Sequence, residues 1–289
     1  MANIAFCTPN WTLPTKVFVP EIVAPGWIDL ANLQGDVLSE MARYPGIDPA
    51  STVLLLDLKT VRAARVFAIP TSNAKPGDTA RIRFYTDAAR TDLVLDTGDI
   101  EFFGEVYPWG SLQWGRQEWL DGRMTTEQVS NAVASWRYWS KEEVLGRYIE
   151  VKFNFSGNQD GYVDVGQIVV SPAFSPAYNL SFGCTPPFFR DPSTKKRSKG
   201  GVQFVDKARP YLYTKMQLDW LSENEAYGNF FEMVREYGVS KPFYFIYDPD
   251  ASAALVAKQS FMAVAETISD PVHPSFGVFS IAIELSQTF

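Results

Sequence analysis

The chain has 289 residues, of which 46% are hydrophobic, 20% charged and 15% aromatic, with a formal net charge of -7. That length exceeds a usual single domain and that composition belongs to a folded protein, so two domains are expected and intrinsic disorder is excluded. The acidic balance speaks against a general nucleic-acid binder, whose affinity comes from clustered Lys and Arg.

In chain order, the N-terminal MANIAFCTPNW lacks the basic segment and apolar run of a secretory leader, and no stretch has the length and apolarity of a membrane span. Synthesis in the cytoplasm without membrane insertion is the expectation. Residues 51–70, STVLLLDLKTVRAARVFAIP, read as two neighbouring strands with a polar interruption at 57–60. In ARIRFYTD (80–87), Ile82 and Phe84 alternate with Arg81, Arg83 and Tyr85, the period of a half-buried strand. TTEQVSNAVASWRYW (125–139) has Val129, Val133 and Trp136 at helical spacing behind a Thr cap, and reads as a short helix. RYIEVKFNFSG (147–157) and YVDVGQIVVSP (162–172) flank an Asn-Gln-Asp-Gly turn and read as a hairpin.

Five prolines between 171 and 193 interrupt any period, which places a linker near 172–180 and domains at 1–175 and 176–289. The second part begins with an alternating strand over 210–221. Ser222 and Glu225 then form the S-x-x-E pattern of a capping box, opening a helix with Ala226, Phe230, Met233, Val234 and Tyr237 at helical spacing and Gly238 as its stop. Residues 241–249, 259–268 and 276–289 read as three further strands, giving the order β-α-β-β-β. The expected fold class is mainly β, with an N-terminal β-sandwich and a C-terminal α+β part.

The chemistry is sparse. His273, the only histidine, lies between prolines in SDPVHPSFG, which rules out a Ser-His-Asp triad or a multi-histidine metal site and reads as a solvated loop. Cys7 and Cys184 are far apart and read as reduced thiols. No phosphate-binding or dinucleotide motif is present, and no cofactor or metal is expected. Asp96, Asp99, Glu101 and Glu105 could supply a glycosidase pair, but an acidic run more often forms a solvated turn and strand edge. Asp160 and Asp164 crowd a tight turn without the spacing of a calcium loop.

Two clusters remain. YPWGSLQWGRQEW (107–119) gathers Tyr107, Trp109, Trp114 and Trp119, and with Trp136 and Trp139 it holds five of the eight tryptophans. Such rings serve as sugar-stacking platforms or as the core and contact surface of a structural protein. DPSTKKRSKGGVQFVDKARP (191–210) concentrates Lys195, Lys196, Arg197 and Lys199 in an otherwise acidic chain. It reads as a solvated loop or as an arm, over 191–203, that docks on the negative face of a neighbouring subunit. No aromatic residue lies among Lys195, Lys196, Arg197 and Lys199, which argues against nucleic acid.

Residues 50–172 resemble a galactose-binding-like jelly roll, on the strands ASTVLLLDLKTVRAARVFAIPT, GRYIEVKFNF and YVDVGQIVVSP. The second part resembles the ring-forming distal tail proteins of tailed bacteriophages, on YLYTKMQLDWLSENEAYGNFFEMVREYG followed by KPFYFIYDP. The resemblance implies a non-enzymatic virion protein of the tail tip or baseplate, built as a ring homo-oligomer, a hexamer in that family. It also implies contacts to tail-tube, tape-measure and baseplate-hub proteins. A carbohydrate-binding protein for host surface glycans is the alternative.

Overall fold

The computed structural model describes residues 3–15, 17–104, 107, 122–124, 128–129 and 132–289. Two long antiparallel neighbours organise its first half, the strands Val53–Ser72 and Ala134–Asn154, paired from Val53 opposite Lys152 to Ser72 opposite Ala134. A flat strand of 20 residues would span about 66 Å. Register breaks at Asp57/Arg62, Ala64/Val66 and Ile69/Ser72 interrupt the ladder, and breaks of this kind bend a strand. At the first break Lys59 takes φ 65, and Asp57 Oδ1 accepts its backbone N–H at 2.7 Å. The polar interruption expected to separate two strands is therefore a bulge within one, because a single partner pairs with both sides of it.

Thr79–Tyr85 lies on the other side of Ala134–Asn154, with Ile82 opposite Val151, and is followed outward by Leu93–Asp96 and Ile100–Glu101. Along the free side of Val53–Ser72 come Glu21–Val23, Val169–Ser171 and Val163–Val165, the last also pairing with Ala42–Tyr44. These nine strands enclose a core containing Leu54, Ile82, Phe84, Trp136, Val151 and Phe153. Residues 147–154 and 163–171 do not form the expected hairpin, since both turn to Val53–Ser72 for partners. The expected helix over 125–139 is also corrected. Its described residues 128 and 129 are helical, but from Ala134 the chain is extended, with Trp136 opposite Ile69 in the sheet.

The second half is a seven-stranded sheet with a central order Ala5–Cys7, Phe243–Ile246, Ser260–Ile268, Val278–Gln287, Tyr211–Ser222 and Thr185–Arg190, to which Val272–Ser275 adds on Val278–Gln287. Strand alternation divides its faces. Phe243 and Phe245 enter a core with Phe230, Met233 and Tyr237 from the helical stretch, whereas Tyr244 and Ile246 pack with Val66, Ala68 and Val169 of the first sheet. The layers are thus helix, second sheet and first sheet. This stacking explains why Val66 to Pro70 are all buried, since one face of that segment fills the first core and the other the contact between sheets.

The fold class is the expected one: mainly β, an N-terminal jelly-roll β-sandwich and a C-terminal α+β part. The expected boundary needs one correction, because Ala5–Cys7 belongs to the second sheet, with Phe6 opposite Phe245. Phe6 is fully buried, with its ring 5.3 Å edge-on to Phe230. The burial of such a side chain stabilises by about 1.5–3 kcal/mol.

Candidate interaction surfaces

The capping box expected at Ser222 and Glu225 is present in both directions. The Ser222 N–H donates to Glu225 Oε2 at 2.8 Å, and the Glu225 N–H donates to Ser222 Oγ at 3.4 Å. It opens a helical stretch made of a π-helical segment, Glu225–Phe230, and an α-helix, Phe231–Glu236. Ala226, Phe230, Met233 and Tyr237 are buried as expected, but Val234 is not, being 39% exposed. It belongs to a second stripe with Tyr227 and Phe231, which are 55% and 54% exposed. Tyr227 contacts Phe231 with ring centroids at 6.4 Å and Phe279 at 5.4 Å, and His273 stacks on Phe279 at 4.7 Å. His273 thus lies in an exposed edge strand rather than a loop, as one end of an aromatic surface. The helical spacing of 226–237 marks the buried face, and the i, i+4, i+7 series of Tyr227, Phe231 and Val234 beside it marks the second stripe.

The basic segment forms a two-stranded ribbon, Thr194–Arg197 paired with Gln203–Asp206. It begins just beyond Arg190 opposite Tyr211, where the edge strand Thr185–Arg190 leaves the second sheet. Lys195 opposite Val205 and Lys196 opposite Phe204 put a cation and an apolar side chain on each face. Every residue of both strands is exposed, including Phe204 at 61% and Val205 at 45%, and Lys199 lies exposed in the turn. An isolated two-stranded ribbon is marginal in water, and exposed apolar groups on it mark a contact surface.

Trp109, Trp114 and Trp119 lie outside the described residues. The stretch that carries them is pinned at its ends, where the Tyr107 N–H donates to the Gly122 carbonyl at 3.0 Å. Lys258 Nζ lies 4.8 Å from the Tyr107 ring centroid, and Gln128 Nε2 donates to its hydroxyl at 3.2 Å. Of the two tryptophans downstream, Trp136 is fully buried and its indole N–H is shared between the Ala80 and Ile100 carbonyls at 3.1 Å each. Trp139 carries the Arg65 guanidinium over its ring at 4.3 Å. Trp136 belongs to the first core, and Trp139 is half-buried against the contact between sheets.

Of the carboxylates considered for glycoside chemistry, Asp96, Asp99 and Glu101 are engaged in ion pairs. Asp96 accepts from Arg81 Nε at 2.7 Å and Nη2 at 2.5 Å, and from Arg83 Nε at 3.3 Å. The Arg81 pairing pulls the Asp96 carboxyl down to about 2, opposite to what a general acid at neutral pH requires. Glu101 accepts from Arg123 at 2.8 Å, Asp99 lies 3.9 Å from Arg81, and Glu105 falls outside the described residues. Asp164 is held by Arg43 through two bonds of 2.7 Å, and Asp160 lies 3.2 Å from Lys75. Among the described residues no group of three or more His, Cys, Asp or Glu is arranged to hold a metal ion. No helix among them is long and apolar enough to cross a membrane.

No family model matches the chain, and no curated protein matches it in sequence. Among solved structures it is similar to CBM32-1 from a family 31 glycoside hydrolase of Clostridium perfringens, at 8% identity and a TM-score of 0.35, over 56% of this chain and 97% of that one. A Ruminococcus gnavus GH29 fucosidase in complex with fucose aligns at 10% identity and a TM-score of 0.36, over 58% of this chain and 28% of that one. A fucolectin from striped bass (Morone saxatilis) serum aligns at 10% identity and a TM-score of 0.27, over 94% and 96%. At these scores the likenesses carry no argument about function, and the architecture rests on the strand pairing described above.

Proposed function

We propose that the chain is a structural component of a bacteriophage tail tip or baseplate, oligomerising into a ring and joining the tail tube to host-recognition proteins. The observation that carries self-association is the exposed ribbon 194–206, which places Lys195, Lys196, Arg197, Phe204 and Val205 on two strands that no second layer among the described residues covers. A cationic, partly apolar ribbon on a chain of net charge -7 finds complementary charge on another copy of itself. The assignment to a phage tail follows the resemblance of 211–249, and the capped helix between strands in that region supports it. Copies of the chain are the first partner, with tail-tube, tape-measure and hub proteins beyond them, and no enzymatic step is assigned. Light scattering on the purified chain tests this reading. A mass several times the 32.4 kDa of one chain is expected, whereas a monomer at all concentrations contradicts it.

A second reading, a carbohydrate-binding protein for cell-surface glycans, has one observation in its favour. Tyr107 and Gly122, which flank the Trp-rich stretch in the chain, are joined by a backbone hydrogen bond. That reading predicts a tryptophan fluorescence change on titration with oligosaccharides, lost in W109A/W114A, and no self-assembly.

A further inference from the structure

The ribbon and the aromatic stripe occupy opposite ends of one strand. Tyr211–Ser222 begins where the ribbon leaves the sheet, and it ends at the capping box that starts the helix. Its 12 residues, about 36 Å of extended chain, lie between the base of the ribbon and the capping box. Every residue of the two ribbon strands is exposed, so the ribbon is not seated on its own chain's stripe.

The two surfaces match in chemistry. The ribbon brings cations with Phe204 and Val205, and the stripe brings Tyr227, Phe231 and Val234. Around the stripe, residues 219–236 hold five carboxylates and one arginine, with Glu223, Glu232 and Glu236 exposed and Arg235 paired to Glu232. At the same end the hairpin between Val272–Ser275 and Val278–Gln287 turns, with Phe276 fully exposed. Cations over aromatic faces and beside carboxylates are favourable on both counts.

We infer that the stripe Tyr227–Phe231–Val234 with its acidic rim is the receiving surface for the basic ribbon of a second copy of this chain. The contact is head-to-tail, since the donor and acceptor surfaces differ, and repeating it either closes a ring or runs on as a filament. This inference rests on the self-association proposed above and adds where the second copy docks.

Complementation tests it. The K195E/K196E/R197E chain keeps the stripe and loses the ribbon, whereas the Y227S/F231S chain keeps the ribbon and loses the stripe. Each alone is expected to sediment as a monomer, and an equal mixture is expected to form dimers and nothing larger, because only one productive pairing exists between them. Assembly of Y227S/F231S at the wild-type level overturns the receiving surface while leaving self-association intact, and a monomeric wild type overturns both. A second measurement uses unaltered protein and is independent of variant folding: zero-length carbodiimide cross-linking of mixed light and heavy chains. Links between copies from Lys195 or Lys196 to Glu223, Glu232 or Glu236 are expected. Their absence from an assembled sample overturns the inference.

Discussion

The backbone N–H of Asn10 donates to the Tyr237 hydroxyl at 2.8 Å, joining the N-terminal segment to the last turn of the helix. Asn10 Oδ1 in turn accepts from the backbone N–H of Val170 at 3.1 Å, so one buried residue, through its backbone and its side chain, ties helix and first sheet together. Tyr237→Phe leaves that buried N–H without its acceptor, and an unpaired buried donor costs about 1–3 kcal/mol. Urea unfolding is expected to show a loss in that range with the fold retained. An unchanged midpoint would mean that the N-terminal segment is not held through this bond.

The two cysteines differ in environment. Burial pushes the Cys7 thiol well above its usual range, whereas Cys184 is half-exposed beside the Gln217 backbone. Because the thiolate is the reactive form, a thiol reagent is expected to label one cysteine per native chain, at Cys184, and both after unfolding. Rapid native labelling at Cys7 would mean that its side chain is not buried in the contact between the two sheets.

Stability is expected to depend on acid through Asp96. Its folded carboxyl is depressed by Arg81, so it contributes stability above the unfolded carboxylate range, and that contribution is lost as pH falls from about 4 towards 2. After solvent screening the effect is about 1 kcal/mol. Melting of Asp96→Asn compared with wild type from pH 7 to pH 2.5 is expected to show a gap that closes across that window. A constant gap would place the role of Asp96 outside its charge.

The sequence carried the local periods and lost the distant pairings. The strand through Ile82 and Phe84 was legible because one of its faces is buried, and the helix after Ser222 because its capping box is local. Trp136 was assigned to a helix because Val129, Val133 and Trp136 suit that spacing; its partner Ile69 is remote in sequence. The bulge at Lys59 looked like a turn for the same reason. Ala5–Cys7 was assigned to the wrong half, since three residues show no period and their partner, Phe243–Ile246, lies near the other end of the chain. Of the candidate surfaces, the basic segment was visible as charge, and its form as a ribbon was not. The stripe Tyr227–Phe231–Val234 is masked in the sequence by a buried face with similar spacing.

Sedimentation velocity of the wild-type chain against K195E/K196E/R197E, at low and high salt, tests the central claim most directly. The wild type is expected to assemble at low salt and to assemble less as salt screens the contact, and the charge-reversed chain is expected to stay monomeric with its circular dichroism spectrum unchanged. Assembly of equal size in both chains, or in neither, would contradict it.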